Sequence, residues 1–126
     1  TDSSRILWSR TDAAPYVSSP ALYKGRLYFT KGRASILSSV DADSGQLIIE
    51  QQRLPGMQTL YASPVAAKDR IYFTSREGVT VVIQHGDTVE VLATNELGET
   101  IDASPAIVDD QMFLRGEKHL FCIEEP

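Results

Sequence analysis

A chain of 126 residues, 42% apolar and 23% charged, is long enough to bury a core as one compact domain and too ordinary in composition to be disordered. Its net charge of −5, with twelve Lys and Arg residues spread along the chain, excludes a general affinity for nucleic acid or anionic membrane surfaces. No apolar run reaches the roughly 18–20 residues of a membrane-spanning helix, and the single cysteine, Cys122, excludes an internal disulfide or a Cys-rich metal site. No signal peptide is visible, and the chain opens on Thr1 rather than methionine, so a processed or trimmed amino end is expected.

In chain order, the first predicted element is a strand over Arg5–Ser9, which contains Trp8 and reads as the last strand of a unit without its first three. Ser19-Pro20 then opens a segment, SPALYKGRLYFTKG, that returns as SPVAAKDRIYFTSREG at Ser63-Pro64 and as SPAIVDDQMFLRG at Ser104-Pro105. The spacing is 44 and then 41 residues. Each copy predicts a short first strand through Ala21-Leu22, Val65-Ala66 or Ala106-Ile107, with the proline at its start, where a missing N–H costs no ladder bond. A two-residue turn follows at Lys24-Gly25, Lys68-Asp69 and Asp109-Asp110, whose Gly and Asp suit a tight hairpin. The second strands, 26–30, 70–74 and 111–115, are rich in aromatic and branched residues and end on turns bearing Gly32, Gly78 and Gly116. Third strands are predicted over Ser35–Val40, Val79–Ile83 and His119–Ile123, and fourth strands over Gln46–Gln51 and Thr88–Thr94. The third copy has no fourth strand before Pro126, which makes twelve strands in all.

No segment has a helical apolar period, so the fold class is all-β. Self-similarity at about 40–45 residues, with four strands to a copy, is the mark of β-propeller blades of four antiparallel strands. The expected organisation of 1–126 is a partial propeller of about three blades: residues 1–10 as the last strand of a preceding blade, 15–52 and 60–95 as blades, and 101–126 as an incomplete blade. Propellers close with about 4–8 blades. Three units therefore point to a fragment of a larger ring, or to chains that associate through their open blade faces.

Val40-Asp-Ala-Asp-Ser-Gly-Gln-Leu47 resembles the A-x-D-x-x-T-G-x-x-x-W sentence of pyrroloquinoline-quinone-type (PQQ-like) propeller repeats, and Arg5-Ile-Leu-Trp8 resembles its tail. Ser44 stands where that sentence has Thr, and Glu50-Gln51 where it has Trp. The run from Val91 through Asp102-Ala-Ser-Pro-Ala-Ile107 to Ile123 is similar to the closing blades of a bacterial, planctomycete-like family of such repeat proteins. The resemblance covers nearly the whole chain. It implies a larger, exported propeller, periplasmic or extracellular, and sometimes a scaffold such as the outer-membrane assembly lipoprotein of the same fold. In the quinone-dependent dehydrogenases of that superfamily, the cofactor is held on the axis with calcium by acidic and amide side chains, often beside a vicinal disulfide. One cysteine excludes the disulfide, and no residues match the calcium–quinone set, so neither PQQ nor calcium is expected in this chain.

The chemistry-bearing residues read as structural. Asp41-x-Asp43-x-Gly45 lacks the Gly and Glu positions of a calcium loop, with Gln46 and Gln52 there, and reads as a hydrogen-bonded turn. His85, in a turn, and His119, at a strand start, have no ligand or catalytic partner at useful spacing, and His85 is expected to be solvated. Asp109-Asp110 and Glu124-Glu125 read as solvated pairs, and Cys122, within an apolar strand, as a buried inert thiol. Tyr28, Tyr72 and Phe113, with Phe29, Phe73 and Leu114, recur at aligned positions and read as inter-blade core. No nucleophile elbow, zinc-protease motif, dinucleotide fingerprint or P-loop is present. The connection containing Asn95, Glu96 and Glu99 joins two blades and is the candidate rim contact loop, since propeller loops carry binding sites.

These observations lead to a binding or scaffolding module without chemistry of its own, whose partner is a protein or the remaining blades of a longer chain. The alternatives are the C-terminal fragment of a quinoprotein dehydrogenase, with its cofactor site in blades not present here, and an accessory domain of another enzyme. An export signal upstream favours the first two; a kinase or protease domain in the parent chain favours the third.

Overall fold

A computed structural model of the chain describes residues 6–11, 14–15 and 18–124. Among the described residues, eleven strands form three antiparallel sheets. The first holds β1 (Ala21–Tyr23), β2 (Arg26–Thr30), β3 (Ile36–Asp41) and β4 (Leu47–Arg53), and the second β5 (Val65–Ala67), β6 (Arg70–Thr74), β7 (Val79–Gln84) and β8 (Val91–Glu96). The third holds only β9 (Ala106–Val108), β10 (Gln111–Arg115) and β11 (Leu120–Glu124). Within each sheet, strands pair in sequence order, as a meander blade requires. The described residues contain no helix long and apolar enough to cross a membrane.

Local chemistry explains the hairpins. The β1–β2 turn has positive φ at Lys24 (45°) and Gly25 (76°), and the β5–β6 turn at Lys68 (52°) and Asp69 (62°). Two successive left-handed residues make the type of turn that follows strand twist. In β4 and β8 the sequence carries extra residues relative to the partner strand: the registers step from Ser39↔Ile49 to Val40↔Leu47, and from Val82↔Ala93 to Ile83↔Val91. These bulges fall at the same place in both blades.

Period-two side chains then divide each sheet into two faces. Tyr28, Leu37 and Ile49 of the first blade meet Ile71, Phe73, Val81 and Ile83 of the second in the largest core cluster. The opposite face of the second blade, with Tyr72 and Val82, meets Met112 and Leu114 of the third. The inner strands β1, β5 and β9 lie side by side, and the Ser-Pro serines join them. Ser19 N–H donates to Ser63 Oγ at 2.8 Å, and Ser63 N–H to Ser104 Oγ at 2.8 Å. The two bonds use the hydroxyls of Ser63 and Ser104, while Ser19 takes part through its backbone N–H.

Three expectations are corrected. Residues 6–9 form no strand, and Arg5 lies outside the described residues; the segment instead lays Trp8 on the β3–β4 turn, with Nε1 donating to Ala42 O at 3.0 Å. Cys122 is exposed rather than buried, because it faces away from the second blade. Phe113 is only half-buried, for the same reason, whereas its counterparts Tyr28 and Tyr72 are covered by a following blade. Of the Glu124-Glu125 pair, Glu124 ends β11 and Glu125 lies outside the described residues.

Candidate functional site

The rim residues singled out from the sequence are not one loop. Asn95 and Glu96 belong to the outer strand β8 and are exposed, while Glu99 lies in the connection beyond it. The Glu99 side chain is only 13% exposed. Its Oε1 accepts the Lys118 N–H at 2.6 Å and the His119 N–H at 3.1 Å, and its Oε2 contacts His119 Nδ1. Burial alone pushes this carboxyl up, but the Lys118 and His119 partners outweigh it and hold Glu99 below its ordinary range. Glu99 thus ties the second blade to the third. The close approach also fixes Gly78: a Cβ there would lie 2.3 Å from Glu99 O. Glu77 is a second tie of the same chemistry, accepting the Gln58 and Thr59 N–H groups, each at 3.1 Å.

Beside that rim the molecule is open. All six residues of β8 are exposed, Val91 and Leu92 at 41% each. In the first blade Ile49, which pairs with Ser39 as Ala93 pairs with Val82, is buried in the cluster it shares with Phe73, Val81 and Ile83 of the second blade. Among the described residues the third blade has only the three strands β9 to β11. A cleft of about 300 Å³ results, with Tyr72, Val82, Leu92, Ile107, Met112 and Ile123 in its walls. Lys68 and Asp110, which form an ion pair, also line it, so Asp110 is paired rather than simply solvated. The far face of the third blade adds Val108, Leu120 at 74% exposure, Phe113 and Cys122. This partly apolar sheet face lies next to the β11 edge, which pairs with no further strand among the described residues. Among the described residues, no three His, Cys, Asp or Glu groups gather as metal ligands.

A polar joint between the first two blades was not legible from the sequence. His85 packs edge-on to Tyr23 and Tyr28, with ring centroids 5.1 and 5.8 Å away. Its Nδ1 lies 2.7 Å from Tyr28 Oη, which also accepts the Gly86 N–H at 3.1 Å. Tyr23 Oη accepts the Asp69 N–H at 2.7 Å and donates to Asp69 Oδ1 at 3.1 Å. Lys24 pairs with Asp69, and Arg26 Nη1 lies 2.6 Å from Asp87 Oδ1 without hydrogen-bond alignment. His85 does sit in the bend after β7, but the two tyrosines leave it half-buried rather than fully solvated. Tyr28 is fully buried, so the joint has no room for a substrate at that hydroxyl.

The turn between β3 and β4 has the form expected of it. Asp41 Oδ1 accepts the Asp43 and Ser44 N–H groups at 2.9 and 3.0 Å, which makes the expected turn and holds the carboxyl below its ordinary range. Trp8 covers Gly45, where a Cβ would lie 2.5 Å from the indole and where φ is +75°.

No family model matches the chain, and no curated protein sequence matches it. Solved structures do. BamB from Moraxella catarrhalis aligns with a TM-score of 0.67 at 10% identity, over 86% of this chain and 32% of that one. A quinohemoprotein alcohol dehydrogenase from Pseudomonas putida aligns at 0.66 and 16% identity, over 92% and 20%. A europium-containing methanol dehydrogenase aligns at 0.70 and 17% identity, over 95% and 25%. The chain thus spans about a third or less of the length of each. At these identities the likeness is one of fold, and the chain has the partial β-propeller fold of the PQQ-like repeats that its sequence resembles.

Proposed function

We propose that the chain is a non-catalytic binding or scaffolding piece of a PQQ-like propeller, working in an exported compartment. One observation carries this reading: the open flank formed by β8, the β11 edge and the uncovered face of the third blade. Such a flank is completed by further blades, by a partner protein or by a second copy of the chain. Glu99, from the candidate rim loop, and His85 serve as ties between blades. BamB and the dehydrogenases share the fold, so fold alone does not choose between scaffold and quinoprotein. The absence of a residue set matching calcium and quinone in the sequence favours the scaffold.

The test is titration of the chain with pyrroloquinoline quinone and Ca²⁺, read by quenching of Trp8, the single tryptophan. No saturable quenching is expected. Saturable, calcium-dependent quenching at micromolar quinone would overturn the reading in favour of a dehydrogenase fragment.

A further inference from the structure

We propose that the His85–Tyr28 contact is an acid-operated latch between the first and second blades. Proton inventory at the joint supports it. Tyr28 Oη carries one hydrogen and already accepts the Gly86 N–H. That hydrogen has two acceptors within reach, His85 Nδ1 at 2.7 Å and Gly86 O at 3.4 Å, and the shorter contact takes it. An imidazole that accepts at Nδ1 is neutral, with its proton on Nε2. A protonated His85 carries a hydrogen on both nitrogens, so Nδ1 can no longer accept. Tyr28 Oη is then left with two donors aimed at it and only the distant Gly86 carbonyl to donate to.

The charged surroundings set the sense of the switch. Tyr23 and Tyr28 face His85 from the first blade, with the Lys24 and Arg26 cations behind them; Asp69 and Asp87 face it from the second. Burial, then Arg26, disfavours the imidazolium, and Asp69 offsets this in part, so the folded state holds His85 below its ordinary 6.5. A base depressed on folding stabilises the joint fully above 6.5. That contribution is lost as pH falls below 6.5 through the depressed value. Acid therefore loosens the first blade from the second. The second–third joint, tied by Glu99, has its own histidine, but His119 is exposed.

Only two histidines are present, so the test is direct. In the His119→Gln chain, imidazole NMR titration reads His85 alone, and amide hydrogen exchange at Asp69 and Gly86 reads the joint, since both N–H groups donate to first-blade tyrosines. The expected result is a midpoint below that of a free histidine, a rise of the midpoint in Tyr28→Phe, and a severalfold loss of protection at both amides from pH 7.5 to 5 after correction for intrinsic rates. His85→Gln, whose side-chain carbonyl accepts from Tyr28 at any pH, is expected to keep that protection. An unperturbed midpoint, protection independent of pH, or the same loss in His85→Gln would overturn the latch.

Discussion

Single side chains in this molecule are defined by the blade that follows them. Tyr28, Tyr72 and Phe113 hold one position in three copies, yet the first two are buried and the third is half-exposed, since no following blade covers it. The energetic consequence is calculable. Phe73 is fully buried between blades, so Phe73→Ala is expected to cost about 3–5 kcal/mol in urea unfolding, from lost transfer energy and the cavity left behind. Phe113→Ala, at the open face, is expected to cost about 1 kcal/mol or less. Equal costs would mean that the two faces are equally covered, contrary to the arrangement described. Cys122 follows the same rule: its neighbours Phe121 and Ile123 pack on the second blade while it points the other way.

Among the elements, the strands and their hairpins were legible in the sequence because their causes are local. Lys24-Gly25 and Lys68-Asp69 state a turn within two residues, and the observed β2, β6 and β10 have the predicted bounds. The connections between blades were not legible, since their causes are distant. Glu77 accepts from residues 18 and 19 positions earlier, Glu99 donates no local signal for its bonds to Lys118 and His119, and Tyr28 meets His85 across 57 residues. Nothing in a run of polar loop residues distinguishes a tie from a solvated charge. The Glu77 tie is testable by pH. Burial alone raises this carboxyl, but the Thr59 and Gln58 N–H bonds outweigh it and hold it below its ordinary 4.5. A carboxyl depressed on folding stabilises the fold above that value, and the contribution is lost as pH falls through the folded value. Glu77→Gln is therefore expected to flatten the stability profile between pH 5 and 3 in denaturant titrations; a profile as steep as that of the parent chain would remove Glu77 as a tie.

At the scale of the whole molecule, three sheets stacked about adjacent inner strands leave two unlike ends. Trp8 lies over the first blade at one end, and at the other β8, β11 and the third blade's outer face are bare. Leu92, Val108 and Leu120 are exposed on that flank, and under the proposed binding function it is the surface on which a second copy of the chain docks. The measurement that tests this most directly is sedimentation velocity of the 126-residue chain at micromolar concentration, alone and as Leu120→Lys. The expected result is a concentration-dependent dimer or larger species that the charged substitution shifts toward monomer. A clean monomer in both, with no concentration dependence, would contradict it and mark the flank as a stable surface in its own right.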